Sequence, residues 1–219
     1  MLQACIFDLD GVVVDTAKYH YLAWKRLANS FGADFNELQN EKLKGVSRIQ
    51  SLELILQWAG ITLSETEKAV AAQQKNDWYL EYINQMQPNE ILPGVAVFFE
   101  ELKSNNIKIV LGSASKNAIH CLQKINMLHY FDAIVDGNVV SEAKPNPAVF
   151  ITAAAKINVL PVNAVVFEDA QVGIDAALNG GFFTVGVGQA DVLSNAHLVI
   201  HTFKQINLQK LQAAFGCKI

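Results

Sequence analysis

Cysteine is scarce in this chain of 219 residues: only Cys5, Cys121 and Cys217 occur. Three is an odd number and the spacings are wide, which suggests neither a disulfide framework nor a zinc site. Cys5 falls in the first apolar run and reads as a buried thiol. No apolar run reaches the length that spans a bilayer. No basic segment precedes an apolar signal region, because the chain leads straight into its first strand. Basic blocks are missing too. With a net charge of −4, nucleic acid and anionic membranes are poor candidates for a partner. Repeats and low-complexity segments are absent as well. A monomer in a reducing cytoplasm is the expectation.

What is present is a chain that is 51% hydrophobic with modest charge, the composition of a packed globular protein. Short Val- and Ile-rich runs predict strands at Ala4–Phe7, Ile107–Leu111, Ala133–Val135, Val165–Phe167, Thr184–Val187 and Leu198–Ile200. They are apolar on both faces, as strands of a buried parallel sheet are. Helical stretches at Val95–Ser104, Asn117–Ile125, Ala148–Lys156 and Gly173–Leu178 alternate with them. The expectation is an α/β fold with a doubly wound parallel sheet.

One connection is too long for that scheme. A parallel crossover needs roughly a dozen residues, yet the segment from Asp8 to Ile107 is many times longer. Inside it, Ala17, Tyr21, Trp24, Ala28 and Phe31 recur at helical spacing. Leu52, Ile55, Leu56 and Ala59 do the same, and Glu65–Ile83 is a further candidate helix. These patterns predict an inserted helical cap over residues 16–87, with residues 1–15 and 88–219 forming the core. Two linkers, near Asp15 and Pro88–Gly94, would make one hinge at which such a cap opens and closes.

Ligands of open α/β sheets bind beyond the carboxyl ends of the strands. The first strand ends in Asp8 and Asp10, within FDLDGVVVDT; the second leads into Ser113, Ala114, Ser115, Lys116 and Asn117. The third leads toward Lys144-Pro145, and the fourth ends in Glu168-Asp169. Like charges this close repel, so the acid pairs call for a cation or a reaction partner. Taken singly, each has a plainer reading: an Asp-Gly turn, a solvated lysine, a carboxylate capping the next helix. A calcium loop fails, because Val12 stands where a third oxygen ligand belongs. Asn146-Pro147 reads as the N-cap and first residue of a helix, and Ser115 as the start of another.

FDLDGV, GSAS, AKP and FEDAQVGIDAA, in this order across the whole chain, resemble the haloacid dehalogenase superfamily of phosphoryl-transfer enzymes. The resemblance implies Asp8 as nucleophile and Asp10 as proton carrier. It implies Mg²⁺ on Asp8, the Asp10 main-chain carbonyl and Asp169, with Glu168 beside them, and Lys144 and Ser113 on the phosphoryl group. An ionised carboxylate needs no base to attack, and oxygen-only ligands suit a hard divalent cation.

The cap segment adds Thr16, His20, Trp24, Leu43-Lys44-Gly45-Val46-Ser47-Arg48 and Lys75. With Ser113–Asn117, these residues resemble the β-phosphoglucomutase family. That resemblance implies interconversion of β-glucose 1-phosphate and glucose 6-phosphate through β-glucose 1,6-bisphosphate, which also serves as phosphoryl donor. Such a bisphosphate needs a second phosphate site, and Arg48 offers a planar fork of donors for it. The resemblance makes His20, with Thr16, a link that places Asp10. His20 and Trp24 also read as cap packing, and Lys75 as a solvated side chain. Water in place of a sugar hydroxyl as acceptor makes a sugar-phosphate phosphatase, and a catalytically silent sugar-phosphate sensor is a third reading.

Overall fold

The computed structural model describes residues 1–43 and 46–216. The chain divides into two units, Met1–Asp15 with Pro88–Ile219, and Thr16–Gln87.

In the first unit, six parallel strands form one sheet: β1 (Ala4–Phe7), β2 (Lys108–Gly112), β3 (Ala133–Val135), β4 (Ala164–Glu168), β5 (Phe183–Val187) and β6 (Leu198–Ile200), in the order β3-β2-β1-β4-β5-β6. The predicted strands are all present, three of them unchanged and the others longer or displaced by a residue. Four helices follow strands or lead into them: α5 (Val95–Ser104), α6 (Ala118–Lys124), α7 (Ala148–Lys156) and α8 (Gln171–Asn179); α9 (Leu208–Gly216) ends the described chain. The strand order reverses between β1 and β4, the position at which open α/β sheets leave a crevice. Phe7 of β1 is in register with Phe167 of β4, and the Asp8 amide donates to the Phe167 carbonyl at 3.0 Å. Asp8 and Glu168 therefore leave the sheet side by side.

The sheet is held from both faces. One face packs Ile6, Val110 and Val166 against Phe150, Ala153, Ala176 and Phe182. On the other side Phe7 stacks on Phe167 with ring centroids 4.7 Å apart and touches Phe98, Phe99 and Phe203. Each of these buried aromatic side chains is worth roughly 1.5–3 kcal/mol of apolar transfer. The two chain crossings between the units are tied together on this side of them: the Leu92 amide donates to the Val13 carbonyl at 3.0 Å, beside a Val14–Ile91 bridge.

The second unit is helical: α1 (Ala17–Ser30), α2 (Glu37–Glu41), α3 (Arg48–Ala59) and α4 (Glu65–Ile83). Its core joins Trp24, Leu27 and Ala28 of α1 to Leu52, Ile55 and Leu56 of α3 and to Ala71 and Ala72 of α4. Ser64 and Glu67 form a reciprocal capping box that starts α4, and Gly60 at φ +67° ends α3.

Candidate active site

Asp8 follows β1, and its carboxylate is held on both oxygens. The Asp10 backbone amide donates to Oδ2 at 2.9 Å, and Lys144 Nζ donates to Oδ1 at 2.6 Å. Lys144 Nζ also donates to Glu168 Oε2 at 2.8 Å, and all three side chains are buried. Burial alone would lower the Lys144 pKa. The Asp8 and Glu168 carboxylates outweigh it and hold the ammonium above the ordinary lysine value. Burial pushes Glu168 up, with Asp8 and Asp169 adding to the rise against the pull of Lys144. The solvated reading of Lys144 is thus excluded.

One oxygen each of Asp8, Glu168 and Asp169 lies within 4.8 Å of the others. An all-oxygen donor set of this kind suits a hard divalent cation. The surrounding backbone leaves no room beside it. A Cβ on Gly11, at φ +76°, would sit 2.1 Å from Asp169 Oδ2, and one on Gly173 would sit 2.1 Å from Glu168 Cδ. Glu168 also accepts from the Ala170 amide at the start of α8, so its capping role and its place in the acid group coexist.

Ser113 follows β2 and is buried; its Oγ accepts from the Ser115 amide, and Ser115 Oγ accepts from the Asn117 amide. Here one expectation is corrected. α6 begins at Ala118 with Asn117 at its N-cap, so Ser115 precedes the helix instead of starting it. The two serine-centred turns take the amides that would have opened a longer helix. A smaller shift occurs at α7, where Pro147 is the N-cap while the Asn146 side chain accepts from the Ala148 amide at 2.9 Å.

The helical unit has a cluster of its own. Lys75 of α4 is 1% exposed, with Nζ 2.8 Å from His20 Nδ1 and over the rings of Trp24 at 4.5 Å and Tyr79 at 4.7 Å. That burial corrects the solvated reading of Lys75. An ammonium only donates, so Nδ1 of His20 accepts and its ring proton is assigned to Nε2. The His20 ring also lies 4.2 Å from Tyr79. Burial first, then the charges of Lys75 and Arg48, hold His20 well below the ordinary imidazole pKa. Thr16 is buried and its carbonyl accepts from the Tyr19 and His20 amides. Leu43 and Trp24 belong to the apolar core of this unit. The Val46 amide donates to the Leu43 carbonyl, and Arg48 is half-buried at the start of α3. Ser47 is the N-cap of α3, accepting from the Gln50 amide and donating to Gln50 Oε1. Lys44 and Gly45 lie outside the described residues.

A family model described as haloacid dehalogenase-like hydrolase matches residues 5–187, which takes in every strand end of the acid–lysine site and the whole helical unit. The chain belongs to the haloacid dehalogenase-like hydrolase family. Within it, the sequence is 42% identical to a β-phosphoglucomutase of Bacillus subtilis over 96% of this chain and 94% of that one. It is 31% identical to a phosphorylated carbohydrates phosphatase of Thermotoga maritima, over 82% of each. The crystal structure of a β-phosphoglucomutase from Clostridium difficile superposes with a TM-score of 0.95 at 43% identity, covering 99% of this chain and 98% of that one.

The sequence alone leaves several residues of the two units of this haloacid dehalogenase-like chain without an assigned role. Gly173 carried a signal, a glycine inside a helical pattern, which marks close approach of backbone to a neighbour. The Ser47-x-x-Gln50 spacing was a legible helix start. Tyr79 and the Asp136-Gly137-Asn138 turn had none beyond their residue types.

Proposed function

We propose that this chain is a β-phosphoglucomutase, interconverting β-D-glucose 1-phosphate and D-glucose 6-phosphate through phospho-Asp8 and β-glucose 1,6-bisphosphate. The observation that carries the reading is the likeness to the Bacillus subtilis β-phosphoglucomutase over nearly the full length of both chains, helical unit included.

Asp8 attacks a phosphoryl group of the bisphosphate. The bond from phosphorus to the sugar oxygen breaks, and that oxygen takes a proton from Asp10. In the reverse sense, Asp10 takes the proton of a sugar hydroxyl as its oxygen attacks phospho-Asp8. Lys144 fixes the orientation of Asp8 and offsets the charge of the incoming anion, and Ser113 donates to a phosphoryl oxygen. Asp8, Asp169 and the Asp10 main-chain carbonyl would hold Mg²⁺, with Glu168 beside them; when bound, the ion supplies charge neutralisation for the meeting of carboxylate and phosphate.

The non-reacting phosphate is assigned to Arg48 with Ser115, Lys116 and Asn117, and the sugar to Trp24, Leu43, Lys44, Gly45, Val46, Ser47 and Lys75, with Ala114 supplying backbone. Thr16 and His20 are assigned to the placement of Asp10. A monomer acting in the cytoplasm belongs to the same proposal; among the described residues no helix is long and apolar enough to cross a membrane.

The test is an assay of glucose 6-phosphate formation from β-glucose 1-phosphate with Mg²⁺ and a trace of the bisphosphate, following free phosphate in parallel. Asp8→Ala serves as the blank. Glucose 6-phosphate with little phosphate release supports the mutase. Phosphate without isomerisation makes the chain a sugar-phosphate phosphatase, a reading favoured by the Thermotoga maritima relative. Absence of any phosphoenzyme points to a silent sensor.

A further inference from the structure

The turn that follows β3 has been given no role by the chemistry above, yet it is built against the loop that leaves β2. Asp136 is 4% exposed. Its Oδ1 accepts from the Asn138 amide at 2.9 Å and its Oδ2 from Asn138 Nδ2 at 3.1 Å. The same Nδ2 donates to the Lys116 carbonyl at 2.9 Å, and the Gly137 amide donates to the Ser115 carbonyl at 3.2 Å. A Cβ on Gly137 would sit 2.3 Å from the Ala114 carbonyl oxygen. Three successive carbonyls, of Ala114, Ser115 and Lys116, therefore face this turn.

A trans peptide points its C=O and N–H in opposite directions. The amides of Ser115, Lys116 and Asn117 are consequently turned away from β3. The Ser115 and Asn117 amides are taken by Ser113 Oγ and Ser115 Oγ. Each serine oxygen, used as an acceptor, keeps its own hydrogen for an outside acceptor. The Lys116 amide has no acceptor among the described residues. The Lys116 N–H and the Ser115 hydroxyl thus share a side of the loop, a concave donor set suited to the non-reacting phosphate, while the Ser113 hydroxyl is the one assigned to the reacting phosphoryl group.

We propose that Asp136, Gly137 and Asn138 are positioning residues that hold the Ser113–Asn117 loop with these donors directed at a substrate phosphate. The inference rests on the reading of that loop as a phosphate site. Asn138 is the exposed member of the turn, so its side chain can be shortened without opening the core.

The decisive measurement follows the Lys116 amide resonance of the ¹⁵N-labelled full chain during titration with inorganic phosphate. In the wild type this amide shifts and saturates. In Asn138→Ala the phosphate dissociation constant rises about tenfold, as loss of an aligned donor set predicts. Asn138→Asp, which keeps the shape but turns an oxygen toward the Lys116 carbonyl, loses at least as much. In turnover, KM for β-glucose 1-phosphate rises in step while kcat stays within about twofold, since Asp8 and Lys144 are untouched. Unchanged phosphate affinity in Asn138→Ala overturns the proposal. So does a fall in kcat at constant KM with a lowered melting temperature, which is what a merely structural turn would give. The phosphate titration does not depend on mutase activity. A wild type that binds phosphate at Lys116 but forms no glucose 6-phosphate sinks the mutase reading and leaves the positioning turn standing.

Discussion

Lys144 Nζ lies 2.6 Å from Asp8 Oδ1, with the two side chains 1% and 8% exposed. The contact joins residues 136 positions apart and sets the direction of a carboxylate that the Asp10 amide also holds. Orientation of this kind matters more than affinity, because an already ionised nucleophile is limited by geometry and by repulsion from its anionic target.

Lys144→Ala is therefore expected to lower kcat by about 10²–10³-fold. Without added divalent cation it also costs ~3–5 kcal/mol of stability, because Asp8 and Glu168 are left buried without their shared counter-charge. Steady-state kinetics and urea unfolding check the two halves separately. A variant with the wild-type unfolding midpoint would contradict the ion-pair argument.

Asp10 contributes its backbone amide to Asp8, a bond that survives side-chain truncation. Asp10→Ala should keep Mg²⁺ affinity within a few fold and lose about 10²–10⁴-fold in kcat, the usual weight of a positioned proton carrier. Calorimetric Mg²⁺ titration beside mutase turnover is the measurement. Undiminished turnover would remove Asp10 from proton transfer.

Gly173 is expected to tolerate no side chain. In Gly173→Ala the new methyl would meet Glu168 Cδ at 2.1 Å, in a place where Glu168 is buried and bonded to Lys144. Displacing that carboxylate should cost about 1–3 kcal/mol and weaken Mg²⁺ binding. Denaturant unfolding and Mg²⁺ titration read both effects, and wild-type values in the two would show that Glu168 moves freely.

His20 makes stability depend on pH with a defined sign. Its folded pKa is depressed, by burial first and then by Lys75 and Arg48, so below the ordinary value of 6.5 the unfolded chain takes up a proton that the folded chain refuses. The contribution is fully present above that pH and is lost as pH falls toward the folded pKa. Melting temperatures between pH 7.5 and 5, taken on the wild type and on His20→Gln, should show the steeper acid decline in the wild type. Parallel curves would mean that His20 titrates normally.

Much of this architecture is legible in the sequence. The strands announce themselves because a sheet covered on both faces needs unbroken apolar runs, and ACIF, IVL and AVVF are such runs. The strand-end chemistry was legible for a related reason: in a parallel sheet every strand delivers its next residues to the same edge. Asp8, Ser113 and Glu168 could be placed together from the chain order alone. Lys144 was harder. It follows β3 by nine residues, and only the fold shows that this loop returns to Asp8. Asp136, in contrast, sits directly after β3 and was missed, because a polar Asp-Gly-Asn run looks the same whether it turns in water or clamps a neighbouring loop.

By itself, then, the sequence determined the type and order of the elements and the chemical groups at each strand end, since apolar periodicity and short-range turn chemistry act within a few residues of chain. What only the tertiary structure decided was which groups touch. It set Lys144 between Asp8 and Glu168, buried Lys75 against His20, Trp24 and Tyr79, and turned the Ala114, Ser115 and Lys116 carbonyls toward Asp136-Gly137-Asn138. Apart from Lys75 and Tyr79, one turn apart on α4, those contacts join residues well separated in the chain. Their energies depend on burial and on distances of a few ångströms, quantities that exist only once the chain has packed.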